Sequence, residues 1–116
     1  MNKTNKKKWV KALRSGEYTQ AENQLCLVDS DRSESFCCLG VAYDVLYDGD
    51  WELDGNSYGI RFDSDGESSI EWRTLPQVIL DKIGLTHEDE AKLAEMNDEG
   101  MTFEQIADYI EKRKTI

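Results

Sequence analysis

Apolar residues recur along the chain at two spacings, and the change between them separates helical from extended parts. Trp9, Val10 and Leu13 stand three and four residues apart, the repeat of a helix with one buried face. A helix is predicted over residues 5–15, capped by Thr4 and ended by Gly16. Leu25 and Leu27 flank Cys26 with period two, which reads as a short extended segment. The polar run 30–35 is expected to be a connection, with Ser33 or Ser35 capping the helix that follows.

That helix is "FCCLGVAYDVLYDG", residues 36–49. Cys38, Val41 and Val45 repeat at three and four residues, and Leu39, Ala42 and Leu46 do so one position along. The combined apolar face is wide, so this helix is predicted to be central and buried. Gly40 in its middle costs about 1 kcal/mol relative to alanine. That cost makes sense where another backbone or a large ring packs close, and Trp9, Trp51 and Trp72 are the candidate rings.

Beyond Gly49 the period shortens. Tyr58, Ile60 and Phe62 lie on one face of an extended run, and Ile70 and Trp72 on one face of a second. Asp65-Gly66 between them is a hairpin signal, and Trp51 and Leu53 are expected to begin a third strand. The last third is helical again. Pro76 suits the first turn of a helix running to about Lys82, with Gly84 beyond it. Thr86 can cap a helix through about Asp98, followed by Gly100. Thr102 and Gln105 then form a capping box, with Met101 and Ile106 as its hydrophobic staple. The predicted fold is one α+β domain over residues 1–116. A small antiparallel sheet with a hairpin packs on a central helix, and a helical hairpin closes the C-terminal end.

Charge changes this picture more than composition does. Residues 1–14 hold six Lys/Arg and no acid, which leaves eight Lys/Arg against 24 Asp/Glu, a local net of −16, in the rest. The whole chain carries −10. General affinity for nucleic acid is disfavoured, because phosphate binding rests on cations; a basic partner is tolerated. No apolar run approaches a membrane span, and no apolar stretch follows the charged start, as a secretory signal requires. A cytoplasmic location is expected.

The three cysteines, Cys26, Cys37 and Cys38, are odd in number and are expected to be reduced. A cysteine in the first turn of a helix can be a nucleophile, but a cysteine hydrolase also needs a base. The single histidine, His87, lies among carboxylates at an expected helix start. Packing is the favoured reading of the thiols. Adjacent cysteines have the wrong spacing for zinc. Asp50, Glu52, Asp54 and Gly55 imitate the first half of a calcium loop, but Arg61 stands where a bidentate glutamate is required. No metal and no other cofactor is expected. The last two helices resemble half of a helix-turn-helix, yet Glu104, Asp108 and Glu111 would repel phosphate.

Two surfaces remain. Asp48, Asp50, Trp51, Glu52 and Asp54 form an acidic face with a tryptophan at its rim, a candidate contact for a partner protein. Arg14, Tyr18 and Gln20 lie where the first helix ends. They offer a cation, a ring and an amide for a nucleotide-like anionic ligand, and this is the alternative.

The motifs "WVKALRSGEYTQ" (9–20), "FCCLGVAYDV" (36–45), Leu75-Pro76 and "EMNDEGMTFEQIADYIE" (95–111) carry a resemblance. Together they are similar to a group of small uncharacterised tailed-phage and prophage proteins. In that group the closing unit reads Leu-Asn-Asp-x-Gly-x-x-Phe, and Met96 stands at its leucine here. Residues 48–71 lie outside the motifs. The group carries no assigned activity, so the resemblance implies a setting and not a mechanism. By analogy with that setting, the expected role is a small non-enzymatic protein that binds and modulates a host protein, in host takeover or anti-defence. Sequestration of a nucleotide-like molecule comes second, and a thiol-dependent enzyme third.

Overall fold

Trp9, Val10 and Leu13 bury one face of α1 (Lys3–Arg14) in the computed structural model, which describes residues 1–47, 49–64 and 66–116. The cap is Asn2 rather than Thr4. Its side chain accepts the Asn5 N–H at 2.7 Å, satisfying a donor that the helix start leaves free. Ser15 ends the helix, and Gly16 turns the chain at φ +77°.

Six short strands follow in two groups: β1 (Thr19–Gln20), β2 (Cys26–Val28) and β3 (Glu34–Phe36), then β4 (Glu52–Asp54), β5 (Ser57–Ser64) and β6 (Glu67–Glu71). Their order across the sheet is β1-β3-β2-β5-β4, and β6 pairs with the far half of β5. Among the described residues only β1 and β3 run parallel. The β5–β6 hairpin aligns Arg61 with Ile70 and Phe62 with Ser69. Of its expected turn, Gly66 has φ +80° and Asp65 lies outside the described residues.

The polar run 30–35 differs from expectation. Ser33 closes a tight turn, its hydroxyl donating to Asp31 Oδ1 at 2.6 Å. Ser35 sits within β3, opposite Leu27 on one side and Thr19 on the other. Neither serine caps a helix. α2 (Cys38–Ala42) starts instead from Cys37, which makes no side-chain cap bond, and continues as a π-helical segment, Tyr43–Tyr47. Residues Cys38 to Ala42 are all buried.

Gly40 is explained by backbone and not by a ring. A Cβ there would lie 2.0 Å from the Leu25 carbonyl oxygen. The missing side chain lets α2 lie against the chain entering β2, and the Cys37 N–H donates to that same carbonyl at 3.3 Å. Trp9 reaches the helix two residues earlier, its indole N–H donating to the Cys38 carbonyl at 3.0 Å.

The remaining helices are α3 (Gln77–Ile83), α4 (His87–Asp98) and α5 (Phe103–Lys112). Pro76 stands one residue before α3, and Gly84 ends that helix in the left-handed region at φ +86°. Thr86 caps α4, and Thr102 with Gln105 makes both halves of a capping box on α5. α5 packs along α1, so the first and last helices are neighbours. Glu90 on α4 is only 1% exposed. Its Oε2 accepts the Leu75 N–H at 2.6 Å, which ties the loop after β6 to α4.

Two outcomes follow from this packing. Gly40→Ala should destabilise the fold by about 2–3 kcal/mol, because backbone cannot yield as a side-chain tip can. A urea midpoint equal to wild type would contradict that. The second concerns Glu90. Burial raises its pKa, the Leu75 hydrogen bond and nearby His87 oppose the rise, and Glu71 adds to it. A carboxyl with a raised folded pKa holds its proton more tightly when folded. Its contribution is therefore complete below the unfolded pKa and is lost as pH rises through the folded one. Glu90→Gln keeps the acceptor without the charge. Its stability relative to wild type should rise from about pH 4 to about pH 7 in urea titrations, and a difference independent of pH would rule this out.

Candidate functional site

β4 is the outermost strand on its side of the sheet. Gly55, at φ +66°, turns the chain from Asp54 back to Ser57, so residues 52–54 line an edge. Leu53 is 55% exposed there, and Asp50 and Asp54 are exposed beside it. Glu52 is less free. Arg61 from β5 grips both its oxygens at 2.7 Å, and these bonds hold its carboxyl below the ordinary range. Among the described residues, Asp50 and Asp54 have no ion-pair partner. Asp48, the remaining expected member, lies outside the described residues.

Trp51, expected at the rim, is half-buried under the edge. Its ring meets Tyr43 at 4.8 Å, Phe36 at 6.0 Å and Tyr58 at 6.4 Å between centroids. The first two contacts are edge-on, as ring quadrupoles prefer. The indole N–H donates to Asp44 Oδ1 at 3.3 Å, and Tyr18 donates its hydroxyl to Asp44 Oδ2 at 2.5 Å. Tyr43 donates to the Asp50 carbonyl at 2.9 Å. The aromatic layer thus fixes the edge from below. Asp44, which organises it, sits inside an apolar helical stretch where its charge gave no sign of this role.

Arg14, Tyr18 and Gln20 do not converge on one pocket. Arg14 turns to α5, with its guanidinium 2.6 Å from Asp108, 2.9 Å from Glu111 and 3.5 Å from Glu104. Tyr18 is held by Asp44. Burial first, then that hydrogen bond and the charge of Asp44, push its pKa upward. Gln20 donates to Asn97 Oδ1 at 3.1 Å and to the Met101 carbonyl at 2.6 Å, and its oxygen accepts the Phe103 N–H at 3.1 Å.

The Gln20 amide belongs to a buried polar node. Asn97 is 0% exposed. It donates to the Ala21 carbonyl at 2.7 Å and accepts the Cys38 N–H at 3.1 Å. Cys38 and Phe103 are the first residues of α2 and α5, so the node satisfies donors at two helix starts. The three longer motifs meet here, through Gln20, Cys38, Asn97 and Phe103. Residues 1–114 match a family described as Domain of unknown function (DUF8296). The chain belongs to that family. Neither the comparison with curated proteins nor that with solved structures gives a match.

In this DUF8296 chain the cysteines are buried and free. Burial pushes the Cys37 thiol up to about 11, with the Gly40 and Leu39 N–H groups pulling the other way. Burial and Glu34 raise Cys26 to about 12, and Cys38 is driven upward by burial and by Cys37. Cys37 borders a cleft of about 220 Å³ with Asn23, Arg73 and Asp98, where the buried Gln24 Oε1 has no partner among the described residues. Among those residues no group of three His, Cys, Asp or Glu is placed to hold a metal ion. No helix among them is long and apolar enough to cross a membrane.

Thiols so placed are poor nucleophiles. With a disulfide reagent near pH 8, all three should react slowly in the native protein and at once in urea. A rapid native phase assigned to Cys37 or Cys38 by mass spectrometry would return a thiol chemistry to consideration.

Proposed function

We propose that this DUF8296 chain is a non-enzymatic, phage-encoded accessory protein that binds and modulates a host protein, in host takeover or anti-defence. The contact is the β4 edge, and its occupant is a basic, extended segment of the host protein. The observation that carries this is Leu53, exposed between Glu52 and Asp54 on an outermost strand. Such a strand offers backbone donors and acceptors for strand addition. Leu53 supplies an apolar anchor, and Asp50 and Asp54 supply charge complementary to lysine or arginine. Trp51 serves as the support that keeps the edge in place.

The alternative, a nucleotide-like ligand at Arg14, Tyr18 and Gln20, has less behind it. The polar atoms that would hold the ligand are engaged with Asp108, Glu111, Asp44 and Asn97.

The test is affinity capture from host lysate with the wild-type chain and with Leu53→Lys/Asp54→Lys. One stoichiometric protein should be retained by wild type at low salt and lost as salt rises. Its affinity for the purified variant should fall roughly tenfold or more. Equal affinity for the two chains would overturn the assignment of this edge.

A further inference from the structure

A groove of about 830 Å³ runs along α1, on a different part of the molecule from the β4 edge. It is lined by Lys3, Lys7, Val10, Lys11, Arg14 and Glu111, among others. Lys3, Lys7 and Lys11 are exposed and stand four residues apart on the helix. That places their Cα atoms on one face at intervals of about 6 Å along the axis. None of the three has an ion-pair partner among the described residues. Arg14 continues the row and is held by α5. The surface between the ammonium groups is mostly apolar, as expected where lysine stems lie beside Val10 with their heads in water.

This row is unfavourable to its own helix. Like charges four residues apart repel. The first turn of α1 has no acidic residue, although the positive end of a helix favours one. An anionic occupant relieves both penalties. The rest of the chain, with its net −16, supplies no such group within ion-pair distance of these lysines among the described residues.

We propose that the groove docks an acidic amphipathic helix of a partner protein. Carboxylates four residues apart on that helix meet Lys3, Lys7 and Lys11 in register, and an apolar side chain between them rests beside Val10. Two features favour such a helix over nucleic acid. The floor is apolar, which suits a leucine and not a phosphate. The wall on the α5 side is lined by Glu111, and Glu104 and Asp108, which share Arg14 with it, lie beyond; together these acids disfavour a continuous chain of phosphates. A helix can turn its one acidic face toward the lysines and keep its other faces away from that wall.

The probe is a fluorescein-labelled helical peptide with glutamates four residues apart and leucines between them on the same face. Its binding to the full chain is followed by anisotropy in about 50 mM salt. Saturable binding is expected to weaken roughly tenfold in Lys3→Glu/Lys7→Glu/Lys11→Glu. It should persist in Lys8→Glu/Lys92→Glu/Lys114→Glu, which makes the same change in net charge away from the groove. The variant Lys3→Gln/Lys7→Gln/Lys11→Gln removes charge without adding repulsion, and it should fall between wild type and the first variant. Circular dichroism establishes that each variant is folded. Absence of saturable binding to wild type overturns the proposal, and so does equal loss in both glutamate variants. Equal binding of a scrambled peptide removes the helical register. Tighter binding of a single-stranded oligonucleotide of matched charge replaces the peptide with nucleic acid.

Discussion

The side-chain amide of Asn97 holds together parts of the chain that lie far apart in sequence. It takes the Cys38 N–H, gives its own to Ala21, and meets the amide of Gln20, which in turn receives the Phe103 N–H. A buried amide earns its place only when its donors and acceptors are matched, since an unmatched one costs about 1–3 kcal/mol. Here the match fixes where β1 passes, where α2 begins and how α5 leaves α4. The thiol of Cys38 lies inside this arrangement, its sulfur 3.6 Å from the Leu93 carbonyl. The paired cysteines are then small, buried side chains where the start of α2 comes close to both the chain entering β2 and α4.

The close approach has a second cause in Gly40. Its absent side chain admits the Leu25 carbonyl, and the backbone at the entrance to β2 touches α2 directly. Two constraints, one polar and one steric, therefore locate the central helix. The apolar face of that helix adds burial but little direction. The aromatic layer of Phe36, Tyr43, Trp51 and Tyr58 extends the core toward β4 and ends at an exposed edge.

Much of the helical framework was legible because its ends are signalled chemically. Thr86, Thr102 with Gln105, Gly84 and Gly100 mark boundaries that the structure keeps to within a residue or two. β1 and β3 were not legible. Thr19–Gln20 and Glu34–Phe36 hold one apolar residue between them, Phe36, so neither shows alternation, and Ser33 and Ser35 offered a more familiar role as helix caps. The surface was harder to read than the core. Nothing in the string of letters distinguishes a tryptophan on an acidic rim from one that props that rim through Asp44. The pairing of Arg61 with Glu52 depends on a register that only the β4–β5 turn sets. Arg14 looked available because its three acidic partners lie some ninety residues or more away in sequence.

The packing of α1 on α5 bears on how the chain is made. During synthesis the first helix emerges long before its neighbour, and by itself it is a short, lysine-crowded segment that helix energetics do not favour. The side of α1 that meets α5 cannot be covered until residues beyond 102 are free of the ribosome. The same holds for Gln20 and Ala21, whose partners lie at 97 and 103. Contacts of such sequence separation slow folding. For most of translation the side of α1 that meets α5 therefore stays uncovered, and the native packing of the two helices arrives late.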